Sequence, residues 1–309
     1  MALCASPERG LAMNPVRLRV GRAELRLLPA AGGRITACTL AAPDGTLQQI
    51  LQLYPEQHAD LDRWAKGGIY PLVPYNGRIR DARLRHADRD WALTPHAGSP
   101  HTLHGIAQRR PWQLLACDAS RASLVYMHAA DTHWPWAFEA TMDVALDPGR
   151  VRIALTLRNT GNADMPGGVG LHPYFVHRAD NQVRFDAGPD WPFDADYLPR
   201  EPAADGRHRR PWTVGAADFA AGEVTHFIAD WSGTLDIRSA QARPVRLLAS
   251  GAMDQLVIHR PANAPHVCIE PVSHLPDGFN LHARGATGTG TRILAPGAQL
   301  QGQLDIVLG

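Results

Sequence analysis

The stretch FEATMDVALDPGRVRIALTLR, residues 138 to 158, decides the fold class. In its second arm Val151, Ile153, Leu155 and Leu157 share one side, and Arg152, Ala154, Thr156 and Arg158 share the other. That is the period of two set by side chains leaving a strand alternately up and down. Between the arms, Asp147-Pro148-Gly149-Arg150 is turn chemistry, with proline fixing one φ and glycine lifting the steric limits on the next residue. The pair reads as an antiparallel hairpin.

The same alternation recurs on both sides of it. Strands are expected at Val16 to Val20, Glu24 to Leu28, Arg34 to Leu40, Leu114 to Cys117, Ser123 to His128, Leu235 to Arg238, Val245 to Leu248, Gln255 to His259, Val267 to Glu270 and Leu300 to Leu308. Only Pro55 to Trp64 reads as helical, so a parallel sheet built from βαβ units is excluded. With 28 glycines and 25 prolines to punctuate short strands, the 309 residues read as a large all-β protein, an antiparallel β-sandwich. Residues 1–12 read as a disordered extension and residues 13–309 as a single domain. The Pro-, Asp- and Arg-rich stretch Asp180 to Ala221 reads as a long excursion over one end of the sandwich.

Lys+Arg 31 against Asp+Glu 30 leaves a net charge of +1, so no overall field attracts nucleic acid or acidic lipid. Lys66 is the single lysine, in a loop-like setting beside Gly67 and Gly68, which argues against Schiff-base chemistry. Cys4, Cys38, Cys117 and Cys268 form no C-x-x-C and are expected as buried free thiols. Residues 1 to 12 lack an apolar run, and no stretch approaches 18 consecutive apolar residues, so a cytoplasmic protein is expected.

The absence of G-x-S-x-G, P-loop and H-E-x-x-H patterns removes the commonest nucleophile, nucleotide and zinc signatures. His96, His101 and His104 cluster within nine residues, but their spacing fits no zinc set, so neither metal nor cofactor is expected. His86, His128, His208 and His226 read as surface residues. His172 differs: Gly167-Gly168-Val169-Gly170 delivers it into Pro173-Tyr174-Phe175, where burial favours a neutral ring able to transfer a proton, or a plain core histidine. Glu270 closes Val267-Cys268-Ile269 before Pro271, where desolvation would raise its pKa toward that of a general base, unless an arginine pairs with it. Arg78 lies in the apolar run PLVPYNGRI and needs an anion or sugar hydroxyls to grip.

Taken together, "GGRIT" (Gly32 to Thr36), "PLVPYNGRIRDARL" (Pro71 to Leu84), "LHGIAQRRPW" (Leu103 to Trp112), "GVGLHPYF" (Gly168 to Phe175), "CIEPVSHLPDGFN" (Cys268 to Asn280) and "ILAPGAQL" (Ile293 to Leu300) resemble, in order, the landmarks of the aldose 1-epimerase (galactose mutarotase) family. The resemblance implies a galactose mutarotase-like sandwich, Glu270 as general base, His172 as general acid, and His104 and Arg78 as sugar-binding residues. It implies interconversion of α and β anomers of a free aldohexose without a cofactor, by a monomer or homodimer whose partner is a small sugar. Two departures stand out: Gly77 directly precedes Arg78 where the family usually has Asn, and Val224-Thr225-His226 carries no acid before Phe227. Alternatives are a mutarotase of a hexose phosphate gripped by Arg80, Arg83, Arg109 or Arg110, and a non-catalytic sugar-binding module. A glycosidase would need a second carboxylate, for which Asp277 is the nearest choice, although it reads as a turn residue.

Overall fold

The computed structural model describes residues 15–56, 66–202 and 208–309. The 1–12 extension, and the expected helical stretch from residue 57 onward, lie outside the described residues.

The hairpin at 138–158 forms as read. Phe138–Asp147 and Arg150–Asn159 pair antiparallel over ten residues, from Phe138 opposite Asn159 to Asp147 opposite Arg150. Among the described residues the chain builds two nine-stranded, predominantly antiparallel sheets. The second sheet contains this hairpin and runs in spatial order 113–117, 121–128, 138–147, 150–159, 299–308, 242–251, 231–239, 182–187 and 210–214. The first sheet runs 16–20, 23–28, 34–41, 69–72, 170–176, 266–272, 255–260 and 224–228, with 47–49 branching from 34–41. One apolar cluster joins the inner faces, bringing Leu18, Leu25 and Ile35 of the first sheet together with Ile153, Leu155 and Ile306 of the second. Burying that continuous face is what holds two such sheets together.

Four expectations change. The stretch 180–221 is no mere excursion, because Gln182–Ala187 and Arg210–Val214 join the second sheet and Ala216–Ala220 is a short helix. Glu270 does not end its strand, which continues through Pro271 to Val272. Pro71 and Pro173 likewise sit inside central strands. Proline's φ suits a strand, and its cost is one missing N–H donor, so ladder pairing is thinned here and not abolished. His128 is buried and stacks on Phe138, 4.8 Å between centroids, because its strand turns that face to the core. Cys117 lies half-buried at the end of an edge strand and carries a disulfide, whereas Cys38 and Cys268 are buried free thiols.

Candidate active site

The central strands Gly170–Val176 and His266–Val272 form the floor of a cavity of about 360 Å³. The register pairing Gly170 with Val272 and Tyr174 with Cys268 sets His172 opposite Glu270. Both side chains point into the cavity, and His172 Nε2 lies 3.2 Å from Glu270 Oε1. The imidazole packs against Tyr70 and Tyr174, each 4.6 Å away between ring centroids and tilted from its plane by 26° and 18°. Two aromatic neighbours crowd the ring in its buried setting and restrict its rotation, so Nε2 keeps its aim on the carboxylate.

Burial governs the protonation of this pair. Glu270, only 4% exposed, has its pKa pushed up to about 8 by desolvation. His172 is pulled well below its ordinary value by burial first, then by His104, His259 and Arg34. Each shift favours the uncharged form, so at neutral pH the pair holds one proton between two atoms in contact. Cys268 Sγ is the third ligand-type atom, the three lying within 4.8 Å of one another, and burial raises the thiol pKa too. A cation seated there would have to displace protons from both Cys268 and Glu270.

His104 and Arg78 reach the cavity from the loops above the floor. His104 has a positive φ of 58°, a conformation non-glycine residues adopt only when their surroundings impose it. Its N–H donates to Gly77 O, and the Gly77 N–H donates to His104 Nδ1 at 3.1 Å. With Nδ1 accepting and burial drawing the pKa down to about 3, the ring is neutral and carries its proton on Nε2. The same contact explains the unusual residue before Arg78. Gly77 has φ +64°, and a Cβ there would meet the Pro276 ring at 2.5 Å, so only glycine allows this approach. Arg78 is half-buried, with its guanidinium 4.9 Å over the ring of Tyr197.

All four residues expected from sequence therefore converge on one cavity. The model of the aldose 1-epimerase family matches residues 17–306. The chain belongs to the aldose 1-epimerase family. Two Escherichia coli proteins described as uncharacterized are similar to this aldose 1-epimerase family member: YphB, 24% identical over 252 residues (77% of this chain, 82% of that one), and YihR, 23% identical over 230 (68% and 70%). Among solved structures, a putative aldose 1-epimerase from Escherichia coli K12 has a TM-score of 0.78 at 21% identity, covering 96% of this chain and 99% of that one. A galactose mutarotase-like protein from Clostridium acetobutylicum has a TM-score of 0.77 at 18% identity, covering 96% and 95%. At such identities the structural likeness speaks for the fold.

The other expectations for this epimerase-family chain sort by contact. Asp277 does not line the cavity; it accepts from Arg80 N–H and Asn280 Nδ2, tying two loops together as a turn residue. Of the arginines considered for a phosphate, none lines the cavity, and Arg80 is paired with Asp194 at 2.6 Å. His101 bonds the Asp81 N–H and His96 meets Arg109, so the three-histidine run does not converge.

Sequence reading missed Tyr197, Glu223, Thr225, His259 and Cys268, all of which line the cavity, and it left Lys66 without a role at this rim. The signal for Thr225 and His259 was present as strand alternation. Paired across Val224–Ile228 and Gln255–Arg260, they share a face with Phe227 and Val257. Tyr197 gave no signal, because only the folded path of 180–221 brings it back over the site.

Proposed function

We propose that this protein is an aldose 1-epimerase that interconverts the α and β anomers of a free aldohexose such as galactose or glucose. The contact between His172 Nε2 and Glu270 Oε1 at the cavity floor carries this reading. Ring opening removes the proton of the anomeric hydroxyl and adds one to the ring oxygen. The aldehyde then turns about the C1–C2 bond, and reclosure reverses both transfers, so no net proton is consumed.

A buried pair sharing one proton suits that cycle. In the reading that follows the family, Glu270 takes the hydroxyl proton and His172 gives its own to the ring oxygen, and the two exchange roles on reclosure. Burial by itself biases the proton toward Glu270. Sugar hydroxyls that solvate the carboxylate reverse that bias, and 3.2 Å is within reach for the proton to cross. The Nε2–H of His104 is suited to polarise the ring oxygen, and Arg78 supplies further donors to sugar oxygens. Each positioned transfer contributes about 10²–10⁴-fold.

The test is exchange NMR between the anomers of D-galactose and D-glucose with wild type, Glu270→Gln and His172→Asn. Acceleration by wild type, abolished in both variants, is expected. A wild-type rate no higher than buffer, or variants as fast as wild type, would overturn the reading.

A further inference from the structure

The cavity wall formed by Val224–Ile228, Gln255–Arg260 and the turn at Tyr197 has a defined hydrogen-bond polarity. Tyr197 OH donates to Glu223 Oε1 at 2.6 Å. Thr225 Oγ1 lies 3.3 Å from the same oxygen and 2.9 Å from His259 Nδ1. A hydroxyl has one proton, and the carboxylate oxygen accepts, so the Thr225 proton goes to Glu223. The contact with His259 must then run the other way, from Nδ1–H to Oγ1. Burial lowers the pKa of His259, so the ring stays neutral and its Nε2 is a bare acceptor. Neither Glu223 Oε2 nor His259 Nε2 has a hydrogen-bond partner among the described residues. Glu223 and His259 thus offer two acceptors, beside which Arg78, stacked over Tyr197, and Lys66 supply the donors of the same cavity.

We propose that Glu223 and His259, held in register by Tyr197 and Thr225, form a subsite that reads two adjacent, unmodified hydroxyl groups of the sugar as donors. This deepens, and rests on, the reading of the site as an aldose epimerase. It narrows the substrate class to aldoses with a free hydroxyl pair facing this wall. A phosphate or carboxylate placed directly on these two acceptors would meet the Glu223 carboxylate and an imidazole lone pair, so an anionic group has to sit on Arg78 or Lys66 instead. Tyr197 has a positive φ of 56°, so its backbone is held in an uncommon conformation to keep the phenol over the wall.

The experiment uses D-galactose, its 2-, 3-, 4- and 6-deoxy analogues and galactose 6-phosphate, with wild type, Glu223→Ala and Thr225→Val. Exchange NMR gives kcat and KM, and calorimetry gives binding independently of turnover. Glu223 is exposed at the rim, so its truncation leaves the core intact, and Thr225→Val breaks the relay with almost no change in volume. In wild type, deoxygenation at two adjacent positions is expected to raise KM about 10- to 100-fold with kcat little changed. In both variants that penalty should fall to about threefold or less.

A wild type without a two-position fingerprint, one retained in both variants, or tight binding of a sugar phosphorylated at those positions would overturn the proposal. Sugar binding with the fingerprint but no acceleration of anomer exchange would leave the subsite standing and remove the epimerase reading. Normal acceleration with an unchanged fingerprint in the variants would do the reverse.

Discussion

The two sheets of this molecule are built to different standards. In the second, 138–147 and 150–159 alternate buried and accessible residues along ten unbroken pairs, and the outward Arg150 and Arg152 meet Asp305. In the first, 69–72, 170–176 and 266–272 are buried almost throughout, each carries a proline, and between them they enclose an imidazole, a carboxylic acid and a thiol. Regular alternation and complete ladders favour folding. Thinned ladders and buried titratable groups cost stability, and a sheet keeps them where they carry chemistry. The second sheet is the scaffold and the first is the instrument.

The sharpest way to break that contrast is to alter one buried side chain at a time, a titratable one in the first sheet and an apolar one in the second. Glu270→Gln and His172→Asn should each lower kcat/KM by about 10²–10⁴-fold or more in anomer exchange while thermal unfolding stays cooperative. Leu155→Ala, at a fully buried position of the second sheet, should do the opposite. It should cost about 2–5 kcal/mol in denaturant unfolding and leave kcat/KM of the folded fraction unchanged. If Leu155→Ala altered catalysis as strongly as stability, the division of labour between the sheets would be wrong.

The same contrast explains what was legible in the sequence. Most of the second sheet, Gln182–Ala187 and Arg210–Val214 excepted, could be read strand by strand because half-buried strands print their period in the chain, as Val151 to Arg158 does. On the floor of the first sheet every position is buried, so His172-Pro173-Tyr174 shows no alternation, and its prolines argue locally against the strands that form. His172, Glu270, His104 and Arg78 were found from residue chemistry and from the family resemblance, and their convergence awaited the register of Gly170–Val176 against His266–Val272. Tyr197 and Glu223 were missed because a wall assembled from a loop and a strand end has no local period.

A smaller effect tests whether the first sheet holds Glu270 at a cost. Its pKa is raised on folding from 4.5 to about 8, so the native state retains a proton that the unfolded chain gives up. The resulting contribution to stability is full below about pH 4.5 and is lost as the pH rises through about 8. Glutamine mimics the protonated acid at every pH. Glu270→Gln should therefore match wild type near the acid end of that window and exceed it by on the order of 1–3 kcal/mol at its alkaline end. Urea titrations at the two ends read this difference, and a gap of the opposite slope would sink the argument. In the wild type, kcat/KM should fall as the pH rises past about 8, because a pair that has lost its shared proton has no acid to offer.

The smallest effect lies on the outside of the second sheet and grades its ion pairs by burial. Asp236 meets Arg246 at 2.7 Å and Arg238 at 3.1 Å, but both arginine side chains are more than half exposed. Water screens such pairs and holding long side chains costs entropy, so Asp236→Asn should cost about 0–1 kcal/mol and weaken further in salt. Asp305 bridges Arg150 and Arg152 with a side chain only 7% exposed, and both arginines lower its pKa. Asp305→Asn leaves two guanidinium groups over a dry carboxamide and should cost more, about 1–3 kcal/mol. If instead Asp236 proved the more costly of the two, the scaffold would owe its stability to surface charge more than to its alternating core. The contrast between the sheets would then have to be drawn from electrostatics.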